Sequence, residues 1–242
     1  MKRLLNGRSL LASSIIAYTL VAVPVSMGAP TQAANASWAI DLNAAQRFMG
    51  QTYSAQRASV TELWYAMIEN LKDSPDEVKI RVVNDFFHQH ITYRTDQAVH
   101  GTEDFWTTPL ETIGQGVGDC EDYAIAKYIT LRLAGMDMNK LRLIYVRAQI
   151  GGPRSSASQA HMVLGYYATP DSQPLILDSL VRGIQPASER TDLSPVFSFN
   201  SDGLWSGTSG ARANASPTSR LSRWQNVIQR MRQQGIYLEQ SQ

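Results

Sequence analysis

The sequence predicts an α+β protein in which helices pack on an antiparallel sheet. Three observations support this. Apolar residues recur at helical spacing through the first half of the chain. From Leu141 the pattern changes to short apolar runs separated by turn residues. Between the halves lies a helix apolar on almost every side, the kind that occupies the centre of a core. Helices first and strands after give segregated layers rather than alternating β–α units. Size and composition agree. The chain has 242 residues, 43% apolar and 18% charged, enough for one ordinary core and unlike a disordered segment. Net charge is +1, with no basic block beyond the extreme N-terminus. Nucleic-acid binding therefore has no electrostatic support.

The first 36 residues read as an export signal. Lys2, Arg3 and Arg8 start it, and residues 10–25 are largely apolar. Ala34-Asn35-Ala36 fits a small-residue cleavage site. Residues 37–242 would then form a single domain. No other segment approaches the ~20 apolar residues of a membrane span, so no stable membrane insertion is expected after signal removal.

The expected elements follow in order. Residues 43–49 suggest a short helix. In residues 61–71, Leu63, Trp64, Met67, Ile68 and Leu71 share one helical face. Ser74, Pro75 and Glu77 read as N-cap, first helical position and capping box of the next helix. Residues 91–94 look extended, and the glycine-rich stretch 114–118 reads as a loop. A helix is expected over 120–133, with Gly135 as its C-terminal cap. Strands are expected over 141–149, 161–167 and 175–178, the last two joined by a turn near Thr169-Pro170-Asp171-Ser172. Residues 198–219 read as a long surface loop, and 221–233 as a final helix.

The chemistry concentrates around Cys120, the one cysteine of the chain. In an oxidising compartment cysteines usually pair, so a lone thiol is either buried and inert or kept for its reactivity. Cys120 sits where the glycine stretch runs into a helix. Free backbone N–H groups and the helix dipole favour a thiolate there, and the same groups can hold an oxyanion. Among four histidines, His161 begins one strand and Asp178 ends the next. An antiparallel hairpin brings those positions within a residue or two of register, so Asp178 could orient His161 as a base for Cys120. His88 and His90 read as a solvated helix C-terminus, and His100 has no clear partner. Asp119, Glu121 and Asp122 flank the nucleophile, although carboxylates disfavour a neighbouring thiolate. They can be read as cap and dipole partners. They can equally be read as oxygen ligands for Ca²⁺.

Trp106-Thr107-Thr108-Pro109-Leu110-Glu111, Gly118-Asp119-Cys120-Glu121-Asp122-Tyr123-Ala124, His161-Met162-Val163-Leu164 and Leu177-Asp178-Ser179-Leu180 resemble the motifs of the bacterial transglutaminase-like cysteine proteinases. Within them they resemble the LapG-type periplasmic group. The resemblance implies a papain-like, transglutaminase-type fold and a triad of Cys120, His161 and Asp178. It implies calcium dependence, with Asp119, Glu121 and Asp122 as metal ligands and backbone carbonyls near Asn139 and Leu141 as candidates to complete the shell. It also implies a periplasmic location, a large cell-surface adhesin as substrate, cut at an Ala-Ala bond, and an inner-membrane cyclic-di-GMP receptor as inhibitory partner. Three other readings remain open on the residues: a cell-wall peptide amidase or transglutaminase on the same fold, a non-catalytic receptor-binding module, and a calcium-sensing protein with an inert thiol.

Overall fold

The protein is described by a computed structural model covering residues 37–151, 155–169, 171–206, 211–212 and 221–239. The expected export signal lies outside the described residues, as do residues 152–154 and part of the loop expected over 198–219. Seven helices and eleven strands are present among the described residues.

Side-chain caps start the first two helices. The Asp41 carboxylate accepts the Ala44 N–H at 3.1 Å, opening α1 (Leu42–Thr52). The Ser54 hydroxyl accepts the Arg57 N–H at 3.3 Å, opening α2 (Ala55–Leu71). Helix α3 (Asp76–His90) departs from expectation, because Pro75 itself is the N-cap and no side chain caps the helix. The Ser74 hydroxyl donates backwards to the Asn70 carbonyl. Its acidic first turn, Asp76 and Glu77, answers the free N–H groups through the dipole instead.

After α3, the short strand β2 (Thr92–Tyr93) pairs in parallel with β3 (Val117–Gly118). Between them lie α4 (Asp96–His100) and α5 (Pro109–Gln115). Helix α5 corrects the loop reading of residues 114–118. Thr108 and Glu111 form a capping box around Pro109. Gly114 is inside the helix, where a Cβ would meet the Tyr53 ring at 2.4 Å. Gly116, at φ +72°, ends the helix in the left-handed region. These glycines permit close packing and a helix stop rather than mobility.

Helix α6 (Cys120–Leu133) runs through the centre of the core, and every residue after Cys120 in it is buried. Gly135 follows it at φ +81°, as the sequence suggested. The sheet comes next: β4 (Leu141–Gln149), β5 (Ser158–Tyr166), β6 (Leu175–Leu177), β7 (Gln185–Pro186), β8 (Leu193–Phe199), β9 (Leu204–Ser206) and β10 (Ala211–Arg212). Their order is β10-β9-β8-β4-β5-β6-β7, antiparallel throughout. Leu141, Leu143, Met162 and Leu164 join the helical core. Ile144, Val146, Val163 and Ile176, of opposite parity, form a smaller cluster.

Strands β8 and β9 occupy part of the stretch expected to be loop. Helix α7 (Ser222–Gln233) then packs Trp224, Val227 and Met231 into the core. Finally β11 (Ile236–Leu238) pairs antiparallel with β1 (Trp38–Ile40), so the two ends of the described chain form one ribbon.

Candidate active site

The paired strands β5 and β6 place the base and its orienter. Leu164 pairs with Leu177, which sets Asp178 opposite Val163 and two residues along from His161 on the same face. Diagonal neighbours on one face of an antiparallel pair are within side-chain reach. His161 Nε2 and Asp178 Oδ1 are 2.8 Å apart, both side chains 1% exposed. With Nε2 committed to the carboxylate, Nδ1 is the ring nitrogen left to exchange a proton. It is buried and has no partner among the described residues.

Asp178 is held on every side. Its Oδ1 also accepts the Leu180 N–H at 3.0 Å, and its Oδ2 accepts from Arg190 Nη2 at 2.7 Å. Burial opposes its charge, but bonds from His161, Leu180 and Arg190 outweigh that and hold the carboxyl far below the usual range. Arg190 is buried and also bonds Asp192 at 2.9 and 2.8 Å. Sequence reasoning missed Arg190, because nothing in a polar stretch twelve residues beyond Asp178 marks it.

The Asp178 backbone carbonyl is held as well. It accepts from Lys127 Nζ at 3.0 Å, and His88 Nε2 lies 2.9 Å from it. His88 is therefore not a solvated helix end. It packs on Tyr123 with ring centroids 5.6 Å apart, and burial, then Lys127, push its pKa down. His90 packs on Phe86 and His100 on Phe105, so neither belongs to this group.

Cys120 begins α6 with Asp119 as the N-cap residue. The free edge of β5, beyond the end of β6, brings the Met162 N–H to the sulfur, which favours the thiolate. Stronger effects oppose it. Burial comes first, then the Glu121 carboxylate, and together they push the thiol well up. The thiol donates to Glu121 Oε2 at 2.9 Å.

The acids form two overlapping groups. Asp119, Cys120 and Glu121 place ligand atoms within 4.8 Å of one another, and so do Asp96, Asp119 and Asp122. All four carboxylates are buried. Burial pushes Asp119 up, against the lowering effect of its bond with Glu121; burial, then the Asp119 charge, raise Glu121 to about 9; and burial raises Asp96 to about 6. Asp119 Oδ1 is buried without a partner. Hard oxygen donors, several acids buried together and an orphaned oxygen fit a divalent cation such as Ca²⁺. Asp122 differs from its neighbours. Its Oδ1 accepts from the Thr107 N–H and hydroxyl at 2.8 and 2.6 Å, and its Oδ2 accepts the Asp119 N–H at 3.1 Å. It braces the loop before Cys120 at least as much as it offers ligand atoms. Asp96 is a fourth acid that sequence reasoning did not weigh. Asn139 and Leu141 follow the C-terminal end of α6 in sequence, whereas Asp119 precedes its start. Trp106 packs in the core, stacked on Phe199 at 6.0 Å.

Helices against an antiparallel sheet, a cysteine opening the central helix and a strand-borne histidine–carboxylate pair define a thiol-hydrolase class of fold. Residues 52–193 match the family model of the bacterial transglutaminase-like cysteine proteinases. The chain belongs to that family and is a cysteine protease. Two solved structures of LapG from Legionella pneumophila are similar to it. The EGTA-treated form is 39% identical, with a TM-score of 0.68, over 79% of this chain and 98% of that one. The calcium-bound form is 38% identical, with a TM-score of 0.67, over 79% and 99%. The likeness gives the domain its transglutaminase-type fold. No curated protein matches the chain. Among the described residues no helix is long and apolar enough to cross a membrane.

Proposed function

We propose that this protein is a calcium-dependent endopeptidase of the periplasm. Its substrate is the N-terminal region of a large cell-surface adhesin, cut at an Ala-Ala bond. The cut releases the adhesin and disperses the biofilm, under the control of an inner-membrane cyclic-di-GMP receptor. The observation that carries the reading is the buried His161–Asp178 pair, in a chain whose one cysteine opens the central helix and which is similar to LapG over most of its length.

His161 Nδ1 takes the Cys120 proton while Nε2 stays bonded to Asp178. The thiolate attacks the scissile carbonyl carbon and forms the C–S bond. The carbonyl oxygen becomes an oxyanion, held by backbone N–H groups at the start of α6. The imidazolium then protonates the amide nitrogen, the C–N bond breaks and the new amine leaves. Water, deprotonated by His161, hydrolyses the thioester and regenerates the thiol. Asp178 keeps the imidazole in one tautomer and stabilises its charged form. Asp119 and Glu121 would hold Ca²⁺, with Asp122 and Asp96 in reach, and the ion would supply positive charge that offsets the carboxylates crowding the thiol.

The test is cleavage of a purified adhesin N-terminal fragment by the mature protein, with and without EGTA, beside Cys120→Ala. Cleavage that stops with EGTA and fails in the variant supports the reading. An intact fragment with calcium present overturns the adhesin assignment, and cell-wall peptides become the substrates to try.

A further inference from the structure

Lys127 lies in the middle of α6 and is completely buried. A buried lysine ordinarily pairs with a carboxylate, because an uncompensated cation in the core costs several kcal/mol. Among the described residues Lys127 forms no ion pair. Its Nζ donates to Asn84 Oδ1 at 2.8 Å and to the Asp178 carbonyl at 3.0 Å, with His88 Nε2 at 3.5 Å. Asn84 in turn donates from Nδ2 to the Arg182 carbonyl at 2.8 Å. Two helices thus reach through the core to the turn after β6. Asn84 and His88 come from α3, and Lys127 comes from α6.

That turn carries Asp178. Its carboxylate is fixed from the sheet side by His161 and Arg190, and its carbonyl is fixed from the helix side. A carboxylate that must hold an imidazole to within a fraction of an ångström needs its own backbone held. We propose that Lys127, with His88 and Asn84, is a positioning residue for catalysis: it anchors the Asp178 backbone to the helix that bears Cys120. One side chain then sets the nucleophile's helix and the orienter's turn in register. The inference rests on the triad of Cys120, His161 and Asp178.

Two roles predict opposite outcomes for Lys127→Met, which keeps the length and removes the charge. A lysine kept for stability would lower the melting temperature when lost. A positioning lysine leaves the melting temperature unchanged or higher, because a buried charge has gone. It lowers turnover all the same. The experiment measures three quantities on the full mature chain in calcium: melting temperature, kcat and KM on the adhesin fragment, and the rate of Cys120 alkylation by iodoacetamide. The expected result is a kcat at least tenfold lower, a KM within twofold, and a melting temperature no lower than wild type. An unchanged kcat, or a fall in kcat accompanied by a lower melting temperature in a variant that still folds, overturns the proposal. Should Lys127→Met not fold, His88→Phe removes one contact to the same carbonyl and should lower kcat several-fold with KM unchanged. Unchanged turnover in that variant also overturns the proposal. Alkylation separates this failure from failure of the triad. If His161→Ala alkylates at the wild-type rate, the triad itself falls. If His161→Ala is slow and Lys127→Met matches wild type in kcat, only the positioning role falls.

Discussion

Replacing Arg190 with Met tests how strongly the sheet side holds Asp178. The substitution keeps the aliphatic stem and removes three bonds, one to Asp178 at 2.7 Å and two to Asp192 at 2.9 and 2.8 Å. The Asp192 side chain is 43% exposed, so water replaces those two bonds at little loss. The Asp178 side chain is 1% exposed, and one of its oxygens would lose its cation with no access to solvent. Breaking a buried pair by removing one partner costs about 3–5 kcal/mol. Asp178 keeps His161 and the Leu180 N–H, which points to the lower end, about 3 kcal/mol. For a domain of about 200 residues that is a fall of roughly 6–12 °C in melting temperature. The folded-state pKa of Asp178 is depressed. Its stabilisation is therefore present above the unfolded value, about 3.9, and lost as pH falls through the folded one. The gap between wild type and variant should hold from pH 8 to pH 5 and close only in strong acid. Thermal unfolding by circular dichroism, run on Arg190→Met, Asp178→Asn and the double variant, makes the check. In the Asp178→Asn background the arginine should matter by less than about 1 kcal/mol. A full loss there, or a loss under about 1 kcal/mol in the wild-type background, refutes the argument.

Three further outcomes are expected. Asp178→Asn should fold and lose on the order of 10³–10⁴-fold in kcat, because an amide disfavours the productive tautomer; single-turnover kinetics measures it, and wild-type turnover removes Asp178 from the triad. Calcium should speed iodoacetamide alkylation of Cys120 at pH 7.5 and EGTA should slow it, since the crowding carboxylates push the thiol up; equal rates would show that the cation does not act on the thiol. Burial pushes Lys127 down to about 7, so the cost of the buried cation is fully present below pH 7. That cost fades as pH rises toward the unfolded value near 10.4, by several kcal/mol in order of magnitude. Urea unfolding at pH 6 and pH 9 should therefore show Lys127→Met gaining less with pH than wild type, and parallel behaviour would mean the lysine does not titrate in that window.

The sequence made some of this legible and hid the rest for physical reasons. Helix α6 was readable because its start, apolar body and Gly135 stop are all local signals. The His161–Asp178 pair was readable because a hairpin register turns sequence distance into spatial distance. Strand β8 gave no strand signal, because Ser194, Pro195 and Ser198 interrupt its apolar residues, yet Pro195 is tolerated opposite an irregular register between Tyr145 and Val146 of β4. Residues 114–118 misled for the opposite reason. Thr108-Pro109-Leu110-Glu111 carries a capping box, and that signal could have identified α5. Glycine content outweighed it, although Gly114 serves Tyr53. Arg190, Lys127, His88 and Asp96 act through contacts between elements distant in sequence, which no local pattern encodes.

The β1–β11 ribbon joins residues about 200 positions apart, and a bond from the Glu239 N–H to the Ser37 carbonyl at 2.8 Å extends it. Trp38 and Ile236, both buried, belong to the same core cluster as α6. During synthesis β1 emerges early and has no partner until residues 236–238 follow. Local helices can form in the meantime, but the seam beside the central helix stays open. The domain therefore closes late, and until then Trp38 is an exposed aromatic on an unpaired edge. A stalled or C-terminally clipped chain would keep that edge exposed, which makes incomplete copies the ones prone to aggregate or to be degraded.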